Sequence, residues 1–170
     1  MNNKPLTVGI LSDSHGFLQP EIRGIVNDCD YIVHAGDISS TDVLDQLQAR
    51  KKLVAVAGNN DYPALWKKQD AAIVTGLPEV ASLKLPGGQL VVEHGHRFGN
   101  HPDHQQLRHQ YPTARMIVYG HTHHRVIDQS DEPWVVNPGA SGKTRTHGGF
   151  SCLVLHASEK EWIIETFAQP

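Results

Sequence analysis

Short runs of apolar and largely β-branched residues recur along the chain, and each run ends at a glycine or a polar turn. Such runs, bounded by turn residues, are typical of β-strands. Another turn, Pro86-Gly87-Gly88, separates Leu83–Leu85 from Leu90–Val92 and predicts a hairpin. We predict strands at Leu6–Leu11, Tyr31–His34, Leu53–Ala57, Leu90–Glu93, Met116–Tyr119, Trp134–Val136, Phe150–His156 and Trp162–Phe167.

Apolar residues at helical spacing predict two amphipathic helices, over Glu21–Asn27 and Asp42–Ala49, and Ser39–Thr41 supplies a cap for the second. A weaker pattern predicts a third helix over Pro102–Gln110. Strands and helices alternate in the first half, which indicates parallel βαβ units. The second half is rich in strands, which indicates hairpins and a second sheet. We therefore expect one α/β domain with more than one sheet.

The composition is that of an ordinary globular protein, with 170 residues, 39% hydrophobic and 19% charged. A net charge of −3 without any Lys/Arg run argues against tight binding of duplex nucleic acid. Two cysteines form no disulfide framework, and we expect buried free thiols in a reducing compartment. Met1–Thr7 lacks the apolar core of a signal peptide, and no stretch has membrane-spanning length. The expected location is the cytoplasm.

Twelve histidines are many for this length, and several stand at strand ends. Each of five successive strand ends carries a glycine and at least one side chain that binds hard or borderline metal ions. Because sites in open α/β sheets gather beyond the carboxyl ends of strands, we expect these side chains to converge. The i, i+2 spacing within two of the motifs would point both members the same way in an extended chain. The five segments are Ser12-Asp13-Ser14-His15-Gly16, Ala35-Gly36-Asp37, Gly58-Asn59-Asn60-Asp61, His94-Gly95-His96 and Gly120-His121-Thr122-His123.

Asp-x-His alone occurs by chance, Gly-Asp is common in turns, and Asn59-Asn60-Asp61 is consistent with a capped turn, but the ordered recurrence of the five motifs favours a metal site. The set offers oxygen and imidazole without thiolate, which suits Mn, Fe, Zn, Co or Ni. Its size exceeds the needs of one tetrahedral ion, so we expect two ions that share a carboxylate. Two such ions favour hydrolysis of a phosphate ester. The candidate ligands are Asp13, His15, Asp37, Asn59, His94, His121 and His123.

The ordered motifs resemble those of the calcineurin-like metallophosphoesterase superfamily. The short length, Leu11-Ser12-Asp13-Ser14-His15-Gly16 and the late Asn137-Pro138-Gly139 are similar to its small bacterial and archaeal phosphodiesterase subfamily. The resemblance runs from about Val8 to Ala140. It implies a four-layer αββα sandwich of two mixed sheets, as a single domain over residues 1–170, with the site at the sheet edge.

The resemblance also implies a role for each candidate ligand. A metal-bridging hydroxide would be the nucleophile, with manganese as the first expectation for both ions and Fe, Ni, Zn or Co as alternatives. Asp37 would bridge the two ions. One ion would take Asp13, His15 and His123, and the other would take Asn59, His94 and His121.

Asn60 stands where many superfamily members carry a histidine that assists the leaving group. An amide forms hydrogen bonds but donates no proton at neutral pH, so we expect a dependence on good leaving groups. His96, two residues after His94, or a water molecule would otherwise supply the proton. Asp61 is expected to orient a ligating histidine through its other ring nitrogen. Asp37, Asn60, Asp61 and His96 are therefore the candidate catalytic residues.

Other basic residues have weaker claims. A solvated helix face is expected for His101, His104 and His109. A contact with a substrate phosphate and a surface ion pair are both open for Arg97 and Arg125. The sequence leaves open whether a rim around the site includes Lys143, Arg145 and His147.

The favoured function is a phosphodiesterase that acts on small or activated phosphodiesters. A phosphomonoesterase or nucleotidase is the alternative within the enzyme class, although no cap domain or basic cradle for a dianion is visible. A non-catalytic protein-binding scaffold of the same fold is the alternative outside it. The retromer subunit of similar fold resembles this family while it lacks intact metal ligands, whereas every ligand position is filled here. The sequence leaves a homo-oligomer open.

Overall fold

The computed structural model describes residues 4–169, within which ten strands and four α-helices follow one another. Single turns of 3-10 helix lie at Lys68–Asp70 and His96–Phe98. In chain order, the elements are β1 (Leu6–Leu11), α1 (Pro20–Asn27), β2 (Tyr31–His34), α2 (Thr41–Gln46), β3 (Lys52–Ala55), α3 (Ala71–Thr75), β4 (Val80–Leu85), β5 (Gly88–Glu93), α4 (His104–Gln110), β6 (Met116–Val118), β7 (Val126–Asp128), β8 (Trp134–Asn137), β9 (Phe150–Ala157) and β10 (Trp162–Gln169).

The strands form two mixed sheets of five strands each. The first has the order β10-β9-β1-β2-β3, and the second has the order β4-β5-β6-β8-β7. Strands β1, β2 and β3 run parallel, as the alternation of strands and helices predicts. Strands β5, β6 and β8 also run parallel, and antiparallel β4 and β7 form the edges of their sheet.

Three apolar layers hold the sheets and helices together. The central layer lies between the two sheets and contains Val8 and Ile10 of the first sheet and Leu90 and Met116 of the second. A second layer packs α1 and α2 on the outer face of the first sheet. A third packs Leu107 of α4 on the outer face of the second sheet. The four-layer αββα sandwich with two mixed sheets is thus confirmed.

Local sequence signals explain why the helices begin where they do. Pro20 occupies the first turn of α1, where its missing N–H costs no hydrogen bond. Ser40 caps α2, because its hydroxyl accepts from the backbone N–H of Asp42 at 3.1 Å. Helix α1 also crosses β1 closely, since a Cβ at Gly9 would stand 2.7 Å from Cβ of Val26. The first strand and helix are thereby held in direct backbone contact.

Several predicted boundaries are wrong. Helix α2 ends at Gln46 rather than Ala49, because Leu47 is already extended. Helix α4 begins at His104 rather than Pro102, because the Asp103 carboxylate caps it from the position before. The hairpin between β4 and β5 is confirmed, with Gly88 inside β5 rather than in the turn. Helix α3 and strand β7 were not predicted, because five and three residues are too short to show a period.

The last two strands, β9 and β10, belong to the first sheet, where β9 pairs antiparallel with β1. They are not part of the second sheet that the strand-rich half predicts. No helix within residues 4–169 is long and apolar enough to cross a membrane. The predictions for Met1–Thr7 and for a domain over 1–170 concern in part residues 1–3 and 170, which lie outside the described residues.

Candidate metal centre

The loops that follow the strand ends lie together at one edge of the sandwich. Asp13 N–H donates to the Gly36 carbonyl at 3.0 Å, which joins the loops after β1 and β2. Gly120 N–H donates to the His94 carbonyl at 3.0 Å, which joins the loops after β5 and β6. These bonds join loops within each sheet, and the His121 N–H, which donates to Oδ2 of Asp13 at 3.1 Å, joins the loops of the two sheets.

Five of the seven candidate ligands have positive φ, in the left-handed region that non-glycine residues rarely adopt. They therefore lie beyond their strands rather than in extended chain. The prediction that an extended backbone orients the pairs Asp13/His15 and His121/His123 is wrong. Both members of each pair still face the centre, because the turn rather than strand alternation directs them. The φ angles are 53° at Asp13, 46° at His15, 54° at Asp37, 67° at His121 and 60° at His123.

Two glycines beside the centre leave room that no other residue would leave. A Cβ at Gly58 would collide with Oδ1 of Asp37. A Cβ at Gly36, where φ is 95°, would stand 2.7 Å from Nδ1 of His94. The close approach of Asp37 and His94 to the backbone thus depends on these two positions.

The first group of possible ligands comprises Asp13, His15 and His123. Nε2 of His15 lies 3.0 Å from Nε2 of His123, and the latter lies 3.3 Å from Oδ1 of Asp13. Atoms that bind one ion at about 2.0–2.2 Å lie about 3.0–3.6 Å from one another, which agrees with these two separations. Nε2 of His15 lies farther from Oδ1 of Asp13, at 3.9 Å. Asp13 is fully buried, and His123 is 2% exposed.

The second group of possible ligands lies next to the first. Asp13, Asp37 and His94 form a cluster of donor atoms within 4.8 Å of one another. Nε2 of His94 lies 3.4 Å from Oδ2 of Asp37 and 3.1 Å from Oδ1 of Asn59. Nδ1 of His121 lies 3.0 Å from the same Asn59 oxygen. The structure therefore brings all seven candidate ligands together.

Asp13 offers the clearest sign that the cluster is suited to a cation. Its Oδ1 is buried and has no hydrogen-bond partner among the described residues. Its other oxygen accepts from the Ser12 hydroxyl at 2.7 Å and from the His121 N–H at 3.1 Å. A buried carboxylate oxygen without a partner costs free energy unless a cation or donor satisfies it. The side chains present thus fit divalent metal ions.

Two histidines have a hydrogen-bond partner that determines which ring nitrogen faces the centre. Nδ1 of His94 lies 2.7 Å from the Ala35 carbonyl oxygen, and Nδ1 of His123 lies 2.9 Å from that of Thr144. A carbonyl only accepts, so Nδ1 donates in both rings. The lone pair of each Nε2 therefore points into the centre, as metal coordination requires.

Asn60 is bound to the Asp37 carboxylate rather than free to meet a leaving group. Its backbone N–H donates to Oδ1 at 2.9 Å, and its side-chain amide donates to Oδ2 at 2.8 Å. Burial raises the pKa of Asp37, but the neighbouring His94 and the hydrogen bonds from Asn60 outweigh burial and leave the pKa below its usual value. Asp37 is thus a charged carboxylate that Asn60 holds in place.

The prediction that Asp61 orients a ligating histidine is wrong. Its carboxylate accepts from the backbone N–H groups of Ile38, Ser39 and Gly58 at 2.9–3.1 Å and from the indole of Trp66 at 3.2 Å. These donors satisfy a carboxylate that is only 6% exposed. Asp61 therefore acts on the loops that carry Asp37 and Asn59, not on an imidazole.

His96 lies beside the candidate ligands without joining either group. Its ring centroid is 5.5 Å from that of His94 and 6.3 Å from that of His121. Its Nδ1 is buried and has no hydrogen-bond partner among the described residues. Burial, and then the neighbouring His94, lower the pKa of His96. The predicted proton donor is thus near the centre, and its catalytic role stays a prediction.

Arg145 is the site residue that the sequence leaves open. It lies on the loop between β8 and β9, and one guanidinium nitrogen is 3.3 Å from Nε2 of His123. The same loop holds Lys143 over the ring of Phe17 at 3.8 Å. His147 stacks on His124 with ring centroids 3.9 Å apart. The loop therefore forms a rim beside the candidate ligands, with Arg145 nearest to them.

Two of the weaker sequence predictions are resolved away from the centre. Arg97 forms ion pairs with Glu93 at 3.4 Å and Glu79 at 3.8 Å, so the surface ion pair is confirmed. The solvated position predicted for His104 is wrong. Its Nδ1 lies 2.6 Å from Oδ2 of Asp128, and its Nε2 lies 3.1 Å from the Tyr119 hydroxyl. His101 and His109 are exposed, as predicted.

Comparisons with known proteins agree with the geometry. A sequence model of the calcineurin-like phosphoesterase superfamily domain matches residues 6–160. A protein named phosphodiesterase from Methanocaldococcus jannaschii is 29% identical over 143 residues, which cover 79% of this chain and 83% of the relative. A probable metallophosphoesterase of the same organism is 28% identical over 142 residues, which cover 79% and 68%.

Solved structures share the fold. A single mutant of Vps29 from Entamoeba histolytica matches with a TM-score of 0.78 at 18% identity, over 96% of this chain and 92% of that chain. A structure described as a novel archaeal phosphodiesterase matches with a TM-score of 0.68 at 24% identity, over 95% and 100%. At these identities the likeness shows the fold alone.

Proposed function

Because this chain belongs to the calcineurin-like phosphoesterase superfamily, we propose that it hydrolyses small or activated phosphodiesters at a site for two divalent metal ions. The family and the names of its relatives, phosphodiesterase and metallophosphoesterase, make it a metal-dependent phosphoric ester hydrolase. The proposal adds the substrate class, the pair of ions and the residues that bind them.

The observation that carries the proposal is the pair of adjoining donor groups that share Asp13. The proposal is supported by the buried Oδ1 of Asp13, which has no hydrogen-bond partner among the described residues, and by the Nε2 atoms of His94 and His123, which face the same centre. The mixture of carboxylate, amide and imidazole donors suits manganese, with Fe, Ni, Zn or Co as alternatives.

Asp37 is suited to the bridging position between two ions. Its Oδ2 lies 3.7 Å from Nε2 of His15 and 3.4 Å from Nε2 of His94, so it borders both groups. We assign one ion to Asp13, His15 and His123, and the other to Asn59, His94 and His121. Such ions, when bound, supply Lewis-acid polarisation of phosphoryl oxygens and water of lowered pKa.

The remaining site residues position the candidate ligands or contact the substrate. Asn60 keeps the Asp37 carboxylate in one orientation through its two hydrogen bonds. Asp61 keeps the loops that carry Asp37 and Asn59 together. Arg145 would bind a non-bridging oxygen of the phosphodiester, because its guanidinium reaches the edge of the centre. His96 would hold or donate the proton of the departing oxygen.

The partner in this proposal is a small phosphodiester. A net charge of −3 supports no tight binding of duplex nucleic acid. A cytoplasmic location belongs to the proposal as well, and it is supported by Cys29 and Cys152, which are free and buried thiols.

The test is hydrolysis of bis(p-nitrophenyl) phosphate and p-nitrophenyl phosphate by protein that is stripped of metal and reloaded with Mn, Ni, Zn or Mg. We expect metal to restore turnover and the diester to react with the higher kcat/KM. A higher kcat/KM for the monoester would replace the proposal with a phosphomonoesterase or nucleotidase. Protein that binds no metal and turns over neither ester would instead indicate a scaffold of the same fold.

A further inference from the structure

A cleft of about 340 Å³ opens beside the candidate metal centre. It is lined by Gly58 and Asp61, from the loop that carries Asn59. His96, two residues after His94, forms part of its wall. A group bound in this cleft would therefore be continuous with a phosphate held at the centre. Its volume lies at the lower end of the range for small-molecule sites, so it fits one ring system rather than a polymer.

The walls of the cleft are mostly apolar or aromatic. Tyr62 and Pro63 are among the lining residues, and Val74 and Leu77 contribute aliphatic surface. The Tyr62 ring belongs to a residue that is 46% exposed, so its surface is available to a ligand. A flat ring beside a proline and an imidazole offers stacking surface to another aromatic ring.

The charges of the cleft exclude an anionic ligand group. No lysine or arginine lines it within the described part of the chain, and its acidic residues are Asp61 and Glu79. Five hydrogen-bond contacts from N–H groups engage Asp61. Glu79 is paired with Arg97 at 3.8 Å, so it does not require a cationic ligand. An uncharged group is the one that this cleft accepts without leaving a charge unpaired.

We propose that the cleft formed by Tyr62, Pro63, Leu77 and His96 binds an uncharged aromatic arm of the phosphodiester substrate. The inference rests on the proposed function, because the phosphate of that substrate occupies the adjoining centre. It narrows the substrate class to diesters with at least one aryl or heterocyclic ester group.

The test uses two phosphodiester monoanions with poor leaving groups, diphenyl phosphate and dimethyl phosphate. Their dissociation constants are measured by calorimetric titration of metal-loaded protein, which needs no turnover. We expect diphenyl phosphate to bind about tenfold more tightly than dimethyl phosphate. Tyr62→Ala should remove most of that difference, whereas Tyr62→Phe, which retains the ring, should keep it.

Leu65→Ala is the matched control, because Leu65 is 54% exposed in the same segment and does not line the cleft. It should leave both dissociation constants unchanged. Equal affinities in the unaltered protein, or a tenfold preference that survives Tyr62→Ala, would overturn the inference. The proposed function is tested independently in the same metal-loaded samples, where absence of bis(p-nitrophenyl) phosphate turnover by the unaltered protein would contradict it.

Discussion

The Nε2 atoms of His15 and His123 lie 3.0 Å apart, although the two residues are 108 positions apart in the chain. His123 donates from Nδ1 to the Thr144 carbonyl, so its Nε2 carries a lone pair. Oδ1 of Asp13 completes the group at 3.3 Å from that atom. A carboxylate oxygen and two imidazole nitrogens at these separations are suited to binding a divalent cation.

His96→Ala should slow the hydrolysis of diesters with poor leaving groups by about 100-fold and leave good leaving groups almost unchanged. The reason is that only a poor leaving group needs a proton as it departs. The protonated form of His96 increases as the pH falls. Burial and the neighbouring His94 lower the pKa of His96, so this increase occurs at a lower pH than for a free histidine. The effect should therefore be larger at pH 6 than at pH 8.

The measurement is kcat for a series of aryl methyl phosphates that span a range of phenol pKa values. His109→Ala is the control, because His109 is exposed on α4. An equal loss across the series would remove His96 as the acid.

Arg145→Ala should raise KM for a phosphodiester about tenfold or more, because a charge-assisted hydrogen bond to the phosphate is lost. Arg145→Lys should recover part of the affinity, since it keeps the charge without the two-pronged geometry. Steady-state kinetics and competition by inorganic phosphate measure both effects. An unchanged KM and phosphate affinity in Arg145→Ala would show that this guanidinium does not touch the substrate.

His104→Ala should lower the free energy of unfolding by about 1–2 kcal/mol, since it leaves the Tyr119 hydroxyl and one contact of Asp128 without a partner. Arg108 remains paired with Asp128 at 3.0 Å, which limits the loss. Metal content should not change, because the cluster is separate from the candidate ligands. Urea unfolding and metal analysis test this, and normal stability with reduced metal would be the opposite result.

His34 should make the metal-free protein less stable as the pH falls from about 6.5 to about 4. Burial lowers the pKa of His34 to about 4 in the folded chain, whereas the unfolded chain has the ordinary value. Between these values the unfolded state binds the extra proton, so stability rises with pH, by up to about 1.4 kcal/mol per pH unit. Urea unfolding of the unaltered protein and His34→Gln across this range should give a shallower slope for the variant. Identical slopes of stability against pH in the two proteins would contradict a lowered pKa of His34 in the folded chain.

The sequence predicts which side chains meet, because each candidate ligand lies in a segment that follows the end of a strand. The carboxyl ends of parallel strands meet at one edge, so Asp13, Asp37 and Asn59 converge once the βαβ order is recognised. The strands themselves are also predictable from sequence, because apolar runs such as Met116–Val118 are buried throughout.

The residues that sequence does not place are those whose partners depend on the tertiary path. Arg145 reaches His123 because a loop of irregular structure folds back over the site, and no periodicity describes such a loop. His104 lies on a polar segment, but its ring contacts Asp128 on edge strand β7. The sequence predicts that Asp61 pairs with a histidine, but backbone N–H groups donate to its carboxylate instead.

We propose that two metal ions, joined by Asp37, act together. The most direct measurement is turnover of bis(p-nitrophenyl) phosphate while manganese is titrated into metal-free protein, with bound metal measured at each step. We predict two ions bound per chain, full activity only after the second, and both weakened binding and lost turnover in Asp37→Asn. Full activity with a single bound ion, or near-normal turnover in Asp37→Asn, would contradict the account.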